Sequence, residues 1–278
     1  MLFSSVSSEF NWWVTNNSTP SVNMGTAITP GTAPAWGTWT QLIPSTSVTE
    51  DVYGVLICIN SFSTSATVRN VLIDIGADNS GGGTYRTLIP YLMGGHASNY
   101  DLGGIWYYFP LFISKGQAIG ARAMGNAISA GRILITLFGQ PKNPDSVKVG
   151  TKVFSFGETT STATGTAYTL STSLGANTQV GSATTMPLWW WQCGYTSIDS
   201  TITPQKCIHL NVLGGDATNK KYLLQNVPIV ATTVEQIMLI PYLNGYNTLA
   251  SGQNVYMSAH SLGAADTSPS VMCWGLGG

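Results

Sequence analysis

Hydrophobic and polar residues alternate with a period of two along several short segments of the chain. In residues 254–260 the apolar positions are 255, 257 and 259, and residues 207–212 alternate in the same way. A period of two is the side-chain period of a strand with one buried face. Residues 55–59, 105–113 and 133–138 are apolar at nearly every position. They predict central strands that are covered on both faces, or covered on one face and buried in an interface on the other.

Turn-forming residues separate these segments. The chain has 31 Gly and 13 Pro, and breakers recur about every 8–12 positions, which is typical of β-sandwiches and barrels. No stretch shows a capped helical period. About eight short strands per unit favour a jelly roll. An immunoglobulin-like sandwich is the alternative, although its Cys…Trp…Cys pattern is absent. Pro110 and Pro241 would have to lie at a strand bend or edge.

Five short motifs occur twice in the same order, 135 to 140 positions apart. The pairs are residues 25–29 with 165–169, 56–58 with 191–193, Asp78 with Asp216, 115–117 with 251–253, and Gly139 with Gly275. Such self-similarity indicates a diverged duplication, and Pro141 and Pro144 mark a linker between the copies. The sequence therefore predicts an all-β fold of two tandem, duplicated β-sandwich (jelly-roll-like) domains, over residues 1–140 and 147–278, joined by a linker at 141–146.

Charged residues are scarce. The 11 Lys+Arg and 12 Asp+Glu make up 8% of 278 residues, where about 25% is typical. Because charge keeps freely diffusing proteins soluble and apart, this composition favours a subunit whose surface is covered by neighbours. A secreted β-sandwich with a Ser/Thr-rich exterior is the alternative. A net charge of −1 and a single basic doublet, Lys220-Lys221, argue against nucleic acid as a partner.

Targeting and membrane signals are not evident. The N-terminal residues lack a basic region followed by an apolar run, so we expect no signal peptide. No window reaches the roughly 18 consecutive apolar residues of a membrane helix, so we expect no membrane partner. These expectations are consistent with synthesis and assembly in a cytoplasm.

Residues with catalytic or ligand-binding chemistry are few. His96 and Asp101 could be drawn into a triad, but no nucleophile motif accompanies them. Residues 74–80 contain oxygen donors that could ligate calcium, yet the order Asp-Asn-Ser-Gly-Gly-Gly that begins at Asp78 is ordinary hairpin-turn chemistry. We expect no enzyme activity, no metal and no cofactor.

The four cysteines form no metal-binding motif. Cys58 and Cys273 lie in apolar contexts that favour buried free thiols. A disulfide between Cys193 and Cys207 is the alternative for the other two.

Clustered tryptophans are the most suggestive feature. Trp189, Trp190 and Trp191 are consecutive, as are Trp12 and Trp13, and alternate residues of a strand face opposite ways. At least one indole in each run should therefore lie outside the core of its own unit. An outward Trp could anchor a subunit contact, since Trp is enriched at interface hot spots. It could also stack on a sugar ring, or be covered by loops of the same chain.

The doubled unit resembles the small tandem jelly-roll structural proteins of tailed bacteriophages, which include decoration, tail-adaptor and fibre-type virion subunits. The residues that carry the resemblance are the strand YGVLICIN (53–60), the Gly-rich loop IGADNSGGGTY (75–85) and the strand–turn–strand unit YYFPLFISKGQAIGARA (107–123). The resemblance is one of pattern and composition and covers most of both halves. It implies a place in the virion and contacts with other virion proteins.

Taken together, these features predict a structural virion protein that acts through protein–protein contacts. We expect homo-oligomers, and a trimer in particular, because three doubled units place six similar sandwiches around one axis. The alternative is a receptor-binding protein that recognises a host-surface glycan. The two differ in shape, because a glycan site is a concave groove around one or two rings and an assembly surface is broad and flat.

Overall fold

A computed structural model describes residues 9–17, 24–60, 71–94, 105–125, 130–143, 148–168, 173, 175–197, 206–231, 247–261 and 269–278. Within these ranges the secondary structure is 18 strands and one 3-10 turn at Ser45–Ser47, with no α-helix. The all-β fold predicted from the period-two pattern is confirmed.

The first unit is a jelly roll. One of its sheets has the order β1–β10–β5–β8, with β2 also paired to β10, and the other has β3–β9–β6–β7, with β4 also paired to β9. Counting β1 and β2 as the first strand and β3 and β4 as the second, the sheets hold strands 1-8-3-6 and 2-7-4-5. This is the arrangement of two interleaved Greek keys. The strands are β1 (Trp13–Thr15), β2 (Thr26–Ile28), β3 (Gly31–Thr32), β4 (Thr40–Ile43), β5 (Gly54–Asn60), β6 (Val71–Asp78), β7 (Arg86–Gly94), β8 (Ile105–Phe109), β9 (Ala118–Gly125) and β10 (Gly131–Phe138).

The second unit repeats this order. Strand β18 lies between β14 on one side and β11 and β12 on the other, and the second sheet has the order β13–β17–β15–β16. A counterpart of β8 would fall at 232–246, which lies outside the described residues. The tandem duplication is therefore seen in the topology itself. The strands are β11 (Lys152–Phe156), β12 (Thr166–Ala167), β13 (Thr178–Gly181), β14 (Leu188–Ser197), β15 (Lys206–Gly215), β16 (Lys220–Ala231), β17 (Asn254–Ser261) and β18 (Pro269–Gly277).

Strand register corrects three of the five sequence matches. Asp78 pairs with Ala118 and Gly215 pairs with Asn254, which lie three residues after the matched positions 115 and 251, so the ladder places Asp78 on Gly215 rather than on Asp216. Ile133 pairs with Thr26, and Val271 pairs with the equivalent Thr166. This places Ile133 on Val271, and therefore Gly139 on Gly277 rather than on Gly275.

The same comparison of strand pairs changes the residue of the second unit to which Cys58 corresponds. Leu134 pairs with Cys58 and its equivalent Met272 pairs with Gly194, so Cys58 corresponds to Gly194 and not to Cys193. The difference matters because a shift of one residue exchanges the two faces of a strand. The predicted linker is described only as far as residue 143, so the domain limits stay a prediction.

The two units share a continuous apolar junction. One face of the sheet formed by β11, β18 and β14 lines the core of the second unit, and the other face packs into the core cluster of the first unit. Trp274 of β18 meets Tyr107 of β8 edge-on, with ring centroids 5.3 Å apart. Its indole Nε1 donates a hydrogen bond to Pro90 O of β7 at 3.3 Å. Strands that are apolar on both faces are thus explained, in this sheet, by contacts within the chain.

Candidate functional site

Two of the five candidate tryptophans are buried inside the chain. Trp191 is 1% exposed and lies in the core of the second unit. Trp190 is 9% exposed and belongs to the core cluster at the junction, where its ring meets Tyr108 of β8 edge-on with centroids 6.1 Å apart. The prediction that neighbouring indoles face opposite ways holds for this pair. The first unit of the same chain covers most of the Trp190 ring, which leaves little of it exposed for the subunit contact predicted for it.

Trp189 also packs against the junction cluster, and Lys148 Nζ lies 4.4 Å from the centre of its ring. It shares the side of Trp190 because the ladder of β14 is irregular between Leu188 and Trp190, and a bulge of this kind breaks strict alternation. Trp12, which immediately precedes β1, is half-buried, whereas Trp13 of β1 is 54% exposed. Trp13 therefore has the exposed side-chain surface that a subunit contact requires.

Trp12 forms one wall of an open polar cleft of about 390 Å³ at one end of the first unit. Backbone hydrogen bonds hold the walls, since Gly139 N donates to Trp12 O at 2.8 Å and Tyr53 N donates to Phe138 O at 2.8 Å. The lining combines two aromatic rings, two carboxylates, one amine and two amides. It consists of Asn11, Trp12, Glu50, Asp51, Tyr53, Lys115 and Gln140.

The charged side chains of this cleft have uncharged counterparts in the second unit. The same backbone contact is present near the start of β5 and of β14. Val52 forms an isolated antiparallel bridge with Ile113, and Leu188 forms the equivalent bridge with Leu249. This end of the second unit therefore forms without these charged side chains, whereas in the first unit Asp51 Oδ1 accepts the Lys115 backbone N–H at 2.8 Å. Since the chain has only 11 basic and 12 acidic residues, three of them in one cleft are a local concentration. The equivalent positions are Met186 for Glu50, Pro187 for Asp51 and Ser251 for Lys115.

A second polar feature is a layered cluster on the outer face of the sheet that contains β9. The guanidinium of Arg122 lies between two indoles, 4.5 Å from the ring centre of Trp36 and 4.8 Å from that of Trp39. It also donates from Nη2 to Asp74 Oδ2 at 2.7 Å. Arg122 is mostly covered, so both its guanidinium and its aliphatic stem make contacts within the first unit. The sequence pattern shows only that Arg122 points away from the core.

Asp74 holds a bulge between β6 and β7. Its Oδ1 accepts the backbone N–H of Tyr91 at 3.0 Å, and Tyr91 has a φ of 53°, a left-handed value that costs energy for a residue other than glycine. Burial raises the pKa of the Asp74 carboxyl, while the hydrogen bond from Tyr91 and the Arg122 guanidinium lower it.

The second unit contains the same device in neutral form. Asn211 Oδ1 accepts the N–H of Asn226, whose φ is 50°, at 2.7 Å, and Asn211 Nδ2 donates to Ser258 at 3.2 Å. Asp74 pairs with Arg122 across the ladder as Asn211 pairs with Ser258. The support of the bulge by Asp74 is therefore a structural feature that the two units share.

Residues 78–84 form a hairpin turn, as predicted. Asp78 accepts hydrogen bonds from the backbone N–H of Ser80, Gly83 and Thr84 at 2.9, 2.6 and 3.1 Å, and these bonds lower the pKa of its carboxyl. Asp216 caps the equivalent turn, and its pKa falls to about 2 for the same reason. Both carboxylates are engaged by the turn, which leaves the calcium alternative without support.

Three cysteines are free and buried. Cys58 and Cys273 confirm the prediction of buried thiols, and Cys193 is free as well, so it forms no disulfide with Cys207. Burial raises the pKa of the Cys58 and Cys193 thiols to about 12 and raises that of Cys273. The side chain of Cys207 lies outside the described residues. The three thiols are poor nucleophiles in the folded chain.

Catalytic groupings are not found in the described ranges. His96 and Asp101 lie outside them, and within them no group of three or more His, Cys, Asp or Glu side chains could hold a metal ion. Burial raises the pKa of Glu158 by disfavouring its charged form, and a hydrogen bond from the Ser155 side chain partly offsets the rise. No helix in the described part of the chain is long and apolar enough to cross a membrane.

No protein-family model and no curated protein matches the chain. Among solved structures, the STIV MCP has a TM-score of 0.39 at 11% identity, covering 96% of each chain. PNGase F, a glycosylasparaginase from Flavobacterium meningosepticum, gives 0.33 at 10% identity with the same coverage. The tandem CBM22 domains of Paenibacillus barcinonensis Xyn10C give 0.27 at 9% identity, covering 89% of this chain and 85% of that one. At TM-scores below 0.5 these likenesses assign neither a family nor a function.

Proposed function

We propose that this chain is a structural subunit of a virus particle, in particular a capsid-decoration or tail-associated subunit of a bacteriophage. It acts through protein–protein contacts and catalyses no reaction. The observation that carries the proposal is a folded double jelly roll with only 8% charged residues. Such a surface is poorly suited to a freely diffusing monomer and well suited to burial in an assembly.

The junction between the units buries part of the apolar surface that the sequence predicts to lie in subunit contacts. What remains exposed on the described residues is a smaller set of large hydrophobic side chains, Trp13, Met24 and Phe112. Of these, Trp13 is the most exposed, and Trp is enriched at hot spots of interfaces. We therefore place the subunit contact around Trp13 on β1.

The test is the mass of the native species at micromolar concentration, measured by sedimentation, with a trimer as the expected result. Trp13→Ala should weaken the assembly by about thirtyfold, which corresponds to the loss of about 2 kcal/mol at a hot spot. The matched control is Met24→Ala, the other exposed side chain near the start of the chain. A monomer in solution, combined with absence from purified particles, would refute the proposal.

A second candidate function is recognition of a host-surface glycan, and the polar cleft favours it. Trp12 and Tyr53 line the cleft beside carboxylate, amine and amide groups, and a concave site with convergent polar groups is what glycan binding needs. Titration with neutral oligosaccharides would test it, because Glu50 and Asp51 outnumber Lys115 and disfavour anionic sugars. Trp12→Ala should abolish binding while leaving the sedimentation coefficient unchanged. Failure of every neutral glycan to bind would remove this candidate and leave the first intact.

A further inference from the structure

Two histidines face each other on the outer side of the second unit. His209 of β15 lies directly opposite His260 of β17 in the antiparallel ladder. Their ring centroids are 5.0 Å apart and the ring planes are inclined by 74°. Both side chains are half-buried, whereas Leu210 and Ala259 beside them are fully buried in the core. The two imidazoles therefore share the face that points away from the core.

Comparison with the first unit shows that the fold does not need imidazoles here. The relevant ladder position lies two residues away from the polar pair of each unit, which is Asp74–Arg122 or Asn211–Ser258. At this position Leu72 of β6 lies opposite Met124 of β9, whereas His209 of β15 lies opposite His260 of β17. Leu72 and Met124 are fully buried in the first unit. An apolar pair thus satisfies the same ladder position, and the histidines are a local departure from the repeated plan.

The environment of His260 leaves one ring nitrogen without a partner. His260 Nδ1 is buried and has no hydrogen-bond partner among the residues that the structure describes. The pKa of His260 is lowered, first because burial disfavours the charged ring and second because His209 adds repulsion. A neutral imidazole keeps a lone pair that can bond to a metal ion.

We propose that His209 and His260 together bind one transition-metal ion of the Zn²⁺, Ni²⁺ or Cu²⁺ type, with water completing its coordination. Metal–nitrogen bonds are about 2.0–2.1 Å and a ring centre lies about 1 Å beyond its nitrogen, so two imidazoles on one tetrahedral Zn²⁺ ion have centroids about 5 Å apart. The observed separation of 5.0 Å matches this value, and the 90° angles that Cu²⁺ and Ni²⁺ prefer require the rings to approach by about 0.7 Å. Imidazole suits these three ions, and Cu²⁺ should bind most tightly of the three.

Binding would tie β15 to β17 across the sheet of the second unit. An ion that binds the folded chain and not the unfolded chain stabilises the fold by mass action. Because an imidazole must be neutral to ligate, binding should weaken in acid. Virion assembly as such is not required for this site, so its test is independent of the proposed function.

The experiment is a calorimetric titration of the full chain with ZnCl₂ and, separately, CuCl₂ at pH 7.5. The expected result is one ion per chain. The variants His209→Leu and His260→Met install the residues that the first unit uses, and each should weaken binding at least tenfold. His96→Gln and Cys207→Ser are the matched controls and should leave binding unchanged. Equal binding by the wild type and the double variant, or loss of binding in Cys207→Ser, would overturn the proposal.

A measurement on the wild type covers the case in which a variant fails to fold. Electron paramagnetic resonance of the Cu²⁺-loaded chain should show coupling to two imidazole nitrogens. Coupling to one nitrogen or to none would refute the two-histidine site, whatever the variants do.

Discussion

The three consecutive tryptophans of β14 differ in their surroundings although they are chemically identical. Trp191 faces the core of the second unit, whereas Trp190 faces Tyr108 across the junction. Trp13, near the start of the chain, is exposed to solvent. The energetic role of each indole is therefore set by what covers it.

This contrast gives a prediction for stability. Trp190→Ala should lower the free energy of unfolding by about 3–5 kcal/mol, because it opens a cavity between the units. Trp13→Ala should change it by no more than about 0.5 kcal/mol, as expected for an exposed side chain. Urea denaturation of the isolated chain, followed by far-UV circular dichroism, measures both. Similar losses for the two variants would contradict the burial seen here.

Asp74 and Asn211 give a second prediction at this scale. Asp74→Ala should cost about 3–5 kcal/mol, because it leaves the Arg122 guanidinium and the Tyr91 N–H without their partner. Asp74→Asn should cost less, since an amide oxygen can still accept the Tyr91 N–H, as Asn211 does for Asn226. The same denaturation assay applies. An Asn variant as unstable as the Ala variant would show that the ion pair matters and the bulge bond does not.

At the scale of strands, the existence and order of the elements could be predicted from the sequence, but the register could not. Period-two segments and repeated turns indicated a doubled β-sandwich because both signals are local. Register depends on which face is buried, and β5 and β14 are apolar on both faces. This is why Cys58 was matched to Cys193 although the ladder aligns it with Gly194.

The candidate sites were harder to foresee for a related reason. The cleft brings together residues 11, 51 and 115, and only the long-range pairing of the jelly roll makes them neighbours. Trp12 was flagged as an aromatic at a contact, but its polar neighbours carry no sequence signal of their own. Alternation in residues 207–212 and 254–260 puts positions 209 and 260 on the polar faces of their strands, but it cannot show that the two histidines lie opposite each other.

Glycines inside strands give a prediction about elements. A Cβ on Gly120 would lie 2.6 Å from Tyr85 Cε1, and the Tyr85 ring is stacked on Trp39 with centroids 5.2 Å apart. Gly120→Ala should therefore displace the ring and cost about 1–3 kcal/mol, as overpacking does. It should also change the near-UV circular dichroism spectrum.

The control for this variant is Gly82→Ala in the exposed turn. There the nearest atom to a new Cβ is the Ser80 hydroxyl oxygen at 3.2 Å, and a shift of a few tenths of an ångström in the exposed turn relieves this contact. An unchanged near-UV spectrum in Gly120→Ala would mean that Tyr85 does not depend on the glycine for its place over the sheet.

At the scale of the whole molecule, the junction decides whether the two jelly rolls behave as one body. The Gln192 side chain donates to Tyr108 O at 2.8 Å, and Phe112 N donates to Gly150 O at 2.8 Å. Both bonds join the first unit to the second. Together with the apolar cluster that contains side chains of both units, these bonds pack the two units against each other.

Because the core cluster of the first unit includes side chains of the second unit, we expect the chain to unfold in one cooperative transition. Tryptophan fluorescence and far-UV circular dichroism should give the same urea midpoint, as two-state unfolding requires. A fragment of residues 1–143 should aggregate, because removing the second unit uncovers the apolar ring of Tyr107 and its neighbours at the junction. Two separate transitions, or a soluble 1–143 fragment with native strand content, would show that the units are linked without being fused. In that case the tryptophans of β14 would again be available for contacts with another chain.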